Sequence, residues 1–444
     1  MSHKPAASFF SDNRRVAVFA AIVCFCAYTS IFCFRKAFNV APFSEPGLFG
    51  INFKILLVIS QGAGYMFSKF YGIRFIAELK RVGRGRLILL LVGISWLAWL
   101  LFALIPSPYN FWCLFFNGFP LGLLWGIVFS YVEGRRATDF IGASLAVSFI
   151  FGSGVAKSVA QFVMQQWGTS EYWMPFMVGL VFMTPLLFFV YLMEKIPLPD
   201  AKDILQRTER LPMPKERRRE LVKTFLPGIA ALVIIYIMVT ILREVRDNFM
   251  ADMWRESGEV LKTGSFAQTE SIISIIILLL IAGMTLIKNN FKAFLFSQFI
   301  MLLGFIIAGV STILFLQKSL DMFWWVTAIG LGLYMVYIPF NSNLFDRFIA
   351  AFRYAGNVGF LIYIADSFGY LGSMGVLLSK SVFKLQLRWL DFYTNLVLIM
   401  AVLGVAGTLI SIFYFRYKNG KLNIEMKNEE LKMKNKEVLS TIKH

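Results

Sequence analysis

A chain of 444 residues in which 58% are hydrophobic and only 16% charged has too little polar surface to clothe a soluble domain. The net charge of +18 would suggest nucleic acid in a soluble protein, but most of the cations lie in short loops and at the termini, where they set membrane topology. The composition is that of a polytopic membrane protein whose surroundings are the lipid bilayer, with no nucleic-acid partner.

Twelve apolar spans follow in order, at about 16–39, 51–77, 86–106, 111–133, 142–166, 173–194, 225–249, 266–288, 293–316, 322–345, 355–380 and 392–416. All are longer than a soluble core helix. The first is too long for a cleavable signal and is followed by no small-residue cleavage site, so it is expected to remain as helix. Basic residues cluster in alternate loops: Arg14 and Arg15, then Lys80 to Arg86, Arg135 and Arg136, Lys288 and Lys292, and Arg347 and Arg353. The positive-inside rule then places both termini in the cytoplasm. The loop at 380–391, with Lys380, Lys384 and Arg388, breaks the alternation.

The stretch 195–224 is basic and divides the spans into two sets of six. It implies an N-terminal bundle over 1–194, a cytoplasmic linker, a C-terminal bundle over 225–416, and a charged cytoplasmic tail over 417–444 that is helical or disordered. The fold class is an all-α membrane protein of twelve transmembrane helices, in the parallel-repeat arrangement of the major facilitator architecture. The cysteines, Cys24, Cys26, Cys33 and Cys113, lie in apolar segments and read as free thiols. Histidine is confined to His3 and His444, so an embedded proton relay would need carboxylates. No metal and no cofactor are expected.

Charge inside the apolar spans is costly and marks function. Arg35 lies about 20 residues into the first span, and Arg243 about 18 into the seventh, at matching depth in the two repeats. Tyr28 is two helical turns before Arg35 on the same face. Lys36 is turned about 100° away, free to support the site, pair locally or snorkel. Arg243 can pair with Asp247 four residues on. Lys69 follows Tyr65 by one turn in the second span. Lys157 stands among small residues in the fifth with no carboxylate near in sequence, Glu270 opens the eighth span, and Asp366 lies within the eleventh. Either acid can balance a cation or carry a coupling proton. Cations outnumber acids, which implies a small anionic substrate, and arginine's planar fork suits phosphate.

Several stretches resemble the organophosphate:phosphate antiporters of the major facilitator superfamily, the carriers of glycerol 3-phosphate and hexose 6-phosphate. They are Tyr28 to Pro42 around Arg35-Lys36-Ala37-Phe38-Asn39, Gly64-Tyr65 through Ser68-Lys69-Phe70 to Gly72, Phe116-Asn117-Gly118-Phe119 with Gly122 and Trp125, Tyr337-Ile338-Pro339, and Gly356 through Gly359-Phe360 to Phe368-Gly369-Tyr370-Leu371-Gly372. The resemblance implies that Arg35 and Arg243 bind phosphate between the halves, with Lys69, Tyr28, Tyr65 and Tyr337 lining the site and Glu270 as the acid opening helix eight. Leu121 stands where the family has Gln, Ser148-Phe149 where it has a site His, and the Asp-Arg signature after span two is absent, with Glu78 as a substitute acid.

The expected function is that of a secondary transporter, not an enzyme. It exchanges a phosphate ester or phosphonate for phosphate across a bacterial inner membrane as a monomer, with Lys36, Lys157, Glu270, Asp366 and Asp247 in coupling or gating roles. A proton-coupled carrier of a carboxylate or other anion, and a non-transporting sensor of the same ligand, are the alternatives.

Overall fold

The computed structural model describes residues 13–77, 83–132, 138–197, 215–342, 344–352, 359–382 and 388–441. Among these there is no strand. The long helices are α1 (Asn13–Lys36), α2 (Phe53–Ala77), α3 (Arg84–Leu104), α4 (Phe111–Phe129), α5 (Thr138–Gln166) and α6 (Met174–Glu194), then α7 (Lys215–Ser257), α8 (Ser265–Thr285), α9 (Asn290–Leu316), α10 (Met322–Ser342), α11 (Gly359–Val382) and α12 (Trp389–Thr441). Ten of them are long and apolar enough to cross a membrane. The other two are α2 and α11, which carry Lys69 and Asp366. Glu78, Lys80, Arg81, Arg135, Arg136, Arg353, Gly356, Lys384 and linker residues 198–214 lie outside the described residues.

Within the first set, α1 packs on α5 and α6, and α2 on α4. Within the second, α7 packs on α11 and α12, and α9 on α10 and α12. The sets meet through α2 with α11 and through α5 with α8. A shift of six helices carries α2 onto α8 and α5 onto α11, so it exchanges these two contacts, as a parallel repeat requires. This is the major facilitator arrangement of two six-helix bundles.

Two boundaries differ from the sequence expectation, and the tail takes the helical one of its two expected forms. α1 stops at Lys36 and passes into a 3-10 turn, Ala37–Val40, which ends at the extended Ala41, the residue that Pro42 bars from helical backbone. α7 begins in the basic linker at Lys215 and kinks at Phe225, two residues before Pro227, whose ring and missing N–H break the hydrogen-bond ladder. The tail continues α12 as helix to Thr441. At 1.5 Å per residue it reaches well past the apolar segment that ends at Leu422.

The anomalous loop before α12 also has a physical basis. Arg388 pairs with Asp391 at 3.0 Å and donates to the Glu256 carbonyl at 3.4 Å, while Lys380 lies 4.6 Å from the Trp389 ring centroid. These cations are held by local partners. The bundles have a near end, where α1 begins, and a far end, where it finishes.

Candidate functional site

The site begins with the end of α1. A helix terminus leaves carbonyls without intrahelical partners. Here Trp99 and Asn117 donate to the Phe34 carbonyl at 2.6 and 3.2 Å, and Gln61 donates to that of Arg35 at 3.0 Å. Asn117 also donates to the Ser95 carbonyl at 3.0 Å and accepts from Gln61 at 2.8 Å. The glycines of the fourth-helix motif make this possible. A Cβ at Gly118 would strike the Gln61 carbonyl, and one at Gly122 the Ser68 hydroxyl. Asn117→Ala orphans several buried groups at about 1–3 kcal/mol each. It is expected to lower the thermal unfolding temperature in detergent by several degrees and to weaken anion binding with it.

Arg35, thus fixed, is buried, with its guanidinium carbon 3.8 Å from the Tyr65 ring centroid. Among the described residues no carboxylate lies within 4 Å of it, and its Nε has no hydrogen-bond partner. It does not snorkel. Tyr28 is buried beside Phe32, ring centroids 6.0 Å apart. Arg243 is also buried, 4.4 Å from the Tyr337 ring centroid. Its acid is not Asp247, as the i,i+4 spacing allowed, but its neighbour Glu244, at 2.6 Å.

The two arginines belong to one continuous set of contacts. On the near side, Tyr65 lies 5.2 Å from the Lys69 ammonium, which pairs with Asp366 at 2.6 Å across the two bundles. Asp366 accepts from the Tyr236 hydroxyl, and the Tyr236 ring stacks on Tyr337 with centroids 5.4 Å apart. Tyr370 lies 5.0 Å from the Lys69 ammonium. Phe149, at the place of the absent histidine, packs its ring against Tyr334 and Tyr337. On the far side, Glu244 spans from Arg243 to Lys36, 3.9 Å from its ammonium.

One turn further along α7 lies a second ionic cluster. Asp247 receives Lys36 and Lys157, each at 2.6 Å, and the Ser153 hydroxyl. Both lysines come from the first bundle, so Lys36 neither snorkels nor pairs locally, and Lys157 finds its carboxylate from the other half. Glycines set this up too. Gly152 lies against Thr29 and Phe32 of α1, and Gly154 against Phe266 and Glu270 of α8, so α5 is wedged between the bundles. Asn39 donates to Asn248 at 3.1 Å, and Lys54 pairs with Asp252 at 2.5 Å while donating to the carbonyls of Asn39 and Ala41. The far end is therefore sealed. The Lys36 and Asp247 side chains are 3% and 7% exposed, against 26% for Lys69 on the near side.

Glu270 stands apart from the arginine pair. It binds Arg246 at 2.8 Å, its other oxygen has no partner, and Arg246 donates onward to the Val326 carbonyl at 3.2 Å. The embedded cations are Arg35, Lys36, Lys54, Lys69, Lys157, Arg243 and Arg246; the acids are Glu244, Asp247, Asp252, Glu270 and Asp366. Two positive charges are left unmatched among the described residues.

Tyr236 and Tyr370 were not among the expected site residues, whereas Glu244, with Arg246 and Asp247, was expected either to hold Arg243 or to form an outer gate. For Tyr236 the signal was available: it precedes Arg243 by seven residues, as Tyr28 precedes Arg35. No group of residues that could hold a metal occurs among the described residues, and the four cysteines form no disulfide.

The fold and this embedded ionic core define the class: a multi-pass membrane protein of the major facilitator fold. Its backbone is similar to that of a bacterial homologue of the human lysosomal transporter Spinster, solved inward-facing and unoccupied. The TM-score is 0.56 over 91% of this chain and 98% of that one, at 12% identity. Residues 37–418 match the model of DUF5690, described as a family of unknown function, and the chain belongs to that family. No curated protein matches the sequence.

Proposed function

We propose that this chain is a secondary active transporter, without enzymatic chemistry, that carries a small phosphate ester or phosphonate across a bacterial inner membrane in exchange for phosphate. It works as a monomer with both termini in the cytoplasm, and its two bundles rock about the arginine layer. The observation that supports this is Arg35, a buried guanidinium with no carboxylate within 4 Å among the described residues. Holding a cation in that state is costly unless a ligand supplies the counter-charge. A phosphoryl or phosphonyl dianion matches the excess of two embedded positive charges, and a monocarboxylate matches half of it. Arg35 contacts the anion with its planar fork, Tyr65 supports the guanidinium from its face, and Lys69 and Tyr337 bound the site. The sealed far end and the more exposed Lys69 support access from the near, cytoplasmic side in this conformation.

The partnerless oxygen of Glu270 favours a second reading, in which a proton is coupled to the anion. Reconstitution into vesicles loaded with labelled phosphate separates the two. Efflux that requires an external phosphate ester or phosphonate, and is indifferent to a pH gradient, is the expected result. Uptake into phosphate-free vesicles that follows the pH gradient and is lost in Glu270→Gln would replace exchange by proton coupling. No flux of any ester or phosphonate in either format would overturn the proposed substrate class.

A further inference from the structure

The two arginines are joined by a run of aromatic rings. The Phe32 ring centroid lies 5.8 Å from the Arg35 guanidinium carbon and 6.3 Å from that of Phe149. Phe149 lies 6.1 Å from Tyr337, centroid to centroid, and the Tyr337 ring in turn supports Arg243 at 4.4 Å. Phe149 is thus the middle of the run, held between α1 of its own bundle and α10 of the other. Phe32 and Tyr337 are buried, whereas Phe149 is half-buried. With α1 and α10 on either side of it, its open face looks into the cleft between the bundles, on the near side of the arginine layer.

The polar side chains next to this run are already engaged. The Ser148 hydroxyl donates to the Leu145 carbonyl of its own helix at 2.6 Å, and the Asn341 amide donates to the Tyr337 carbonyl at 3.1 Å. Lys69 and Asp366 hold each other at 2.6 Å, and Tyr236 gives its hydroxyl to Asp366. This leaves tyrosine hydroxyls, which suit phosphoryl oxygens, and no uncommitted carboxylate among these side chains for a polyol. A substrate hydroxyl that gives up water here without a matched partner counts against binding. A flat apolar ring gains instead, from burial and from contact with the rings present.

Resting on the reading that Arg35 and Arg243 bind an anion, we infer that the organic part of that anion is an aromatic ring and that Phe149 selects it. The phosphoryl or phosphonyl group takes the guanidinium groups, and the ring lies on the open face of Phe149. The substrate class is then an aryl phosphate or arylphosphonate in preference to a polyol phosphate.

Calorimetry on the purified chain tests this with phenyl phosphate, glycerol 3-phosphate and inorganic phosphate. Phenyl phosphate is expected to bind about tenfold more tightly than inorganic phosphate, and glycerol 3-phosphate no more tightly than inorganic phosphate. Phe149→Leu keeps an apolar side chain and removes the ring. It is expected to reduce the preference for phenyl phosphate over inorganic phosphate about fivefold, and Phe149→Tyr to retain that preference. A Phe149 that only packs the bundles together would weaken both ligands alike and leave their ratio unchanged.

Glycerol 3-phosphate binding as tightly as phenyl phosphate in the parent, or an unchanged ratio in Phe149→Leu, would overturn the inference and leave the phosphate reading in place. Benzenesulfonate makes the converse distinction. If it binds, and binds more weakly to Phe149→Leu, in a protein that takes neither phosphate nor phenyl phosphate, the aryl site stands and the proposed phosphate class falls.

Discussion

Arg35→Gln is expected to abolish phosphate-driven exchange and at the same time to raise the thermal unfolding temperature in detergent. The two effects have one cause. A buried guanidinium without an acid within 4 Å is retained at the expense of stability, and removing it relieves that cost along with the binding energy. Sites kept for function are where stabilising substitutions cost activity. Arg35→Lys keeps the charge but loses the planar fork and the stack on Tyr65. Loss of one charge-assisted hydrogen bond worth about 1.5–3 kcal/mol corresponds to about a ten- to hundredfold weaker anion affinity, read by calorimetry with phosphate. Arg243→Gln is the contrast, since it leaves Glu244 without its closest cation and is expected to unfold at a lower temperature. If Arg35→Gln instead destabilises the protein as a broken ion pair does, and exchange persists, Arg35 is structural and the anion site lies elsewhere.

Asp247→Asn is expected to give the largest loss of stability of any single substitution in the embedded core. It removes the carboxylate shared by Lys36 and Lys157 and leaves two buried ammonium groups short of counter-charge. Breaking a buried ion pair by deleting one partner costs about 3–5 kcal/mol. Replacing both members of a buried pair with neutral groups of similar volume is far milder. Asp247→Asn with Lys157→Met is therefore expected to recover most of the loss. Thermal unfolding of the purified protein checks both. An Asp247→Asn protein that unfolds at the parent temperature would mean that the far-end cluster does not hold the bundles together.

Some of this site was legible along the chain and some was not. The depth match of Arg35 and Arg243 is a property of two spans read separately, and both side chains are buried in the core where the register put them. The i,i+4 spacing of Arg243 and Asp247 misled, because spacing along one helix does not register the cations that other helices bring to the same acid. Glu244 is adjacent and 2.6 Å away, while Asp247 is claimed by two lysines 211 and 90 positions away in the sequence. Lys157 looked unpaired for the same reason. Lys54 and Asp252 drew no notice along the chain, and the packing pairs them inside at 2.5 Å. The glycines at 118, 122, 152 and 154 were visible as small residues, and what they admit became clear only from which backbone lies against each.

The amino-acid sequence by itself determined that this is a twelve-span membrane protein built as two repeats, since hydropathy, loop charge and span length are local quantities that the bilayer reads directly. It also marked a guanidinium deep in the first span and another in the seventh. The tertiary structure decided which acid neutralises which cation, that Arg35 has none within reach among the described residues, and that the far end is closed by Asp247. Ion pairing inside a membrane depends on a few ångströms between helices distant in sequence, and those distances exist only once the bundles have packed.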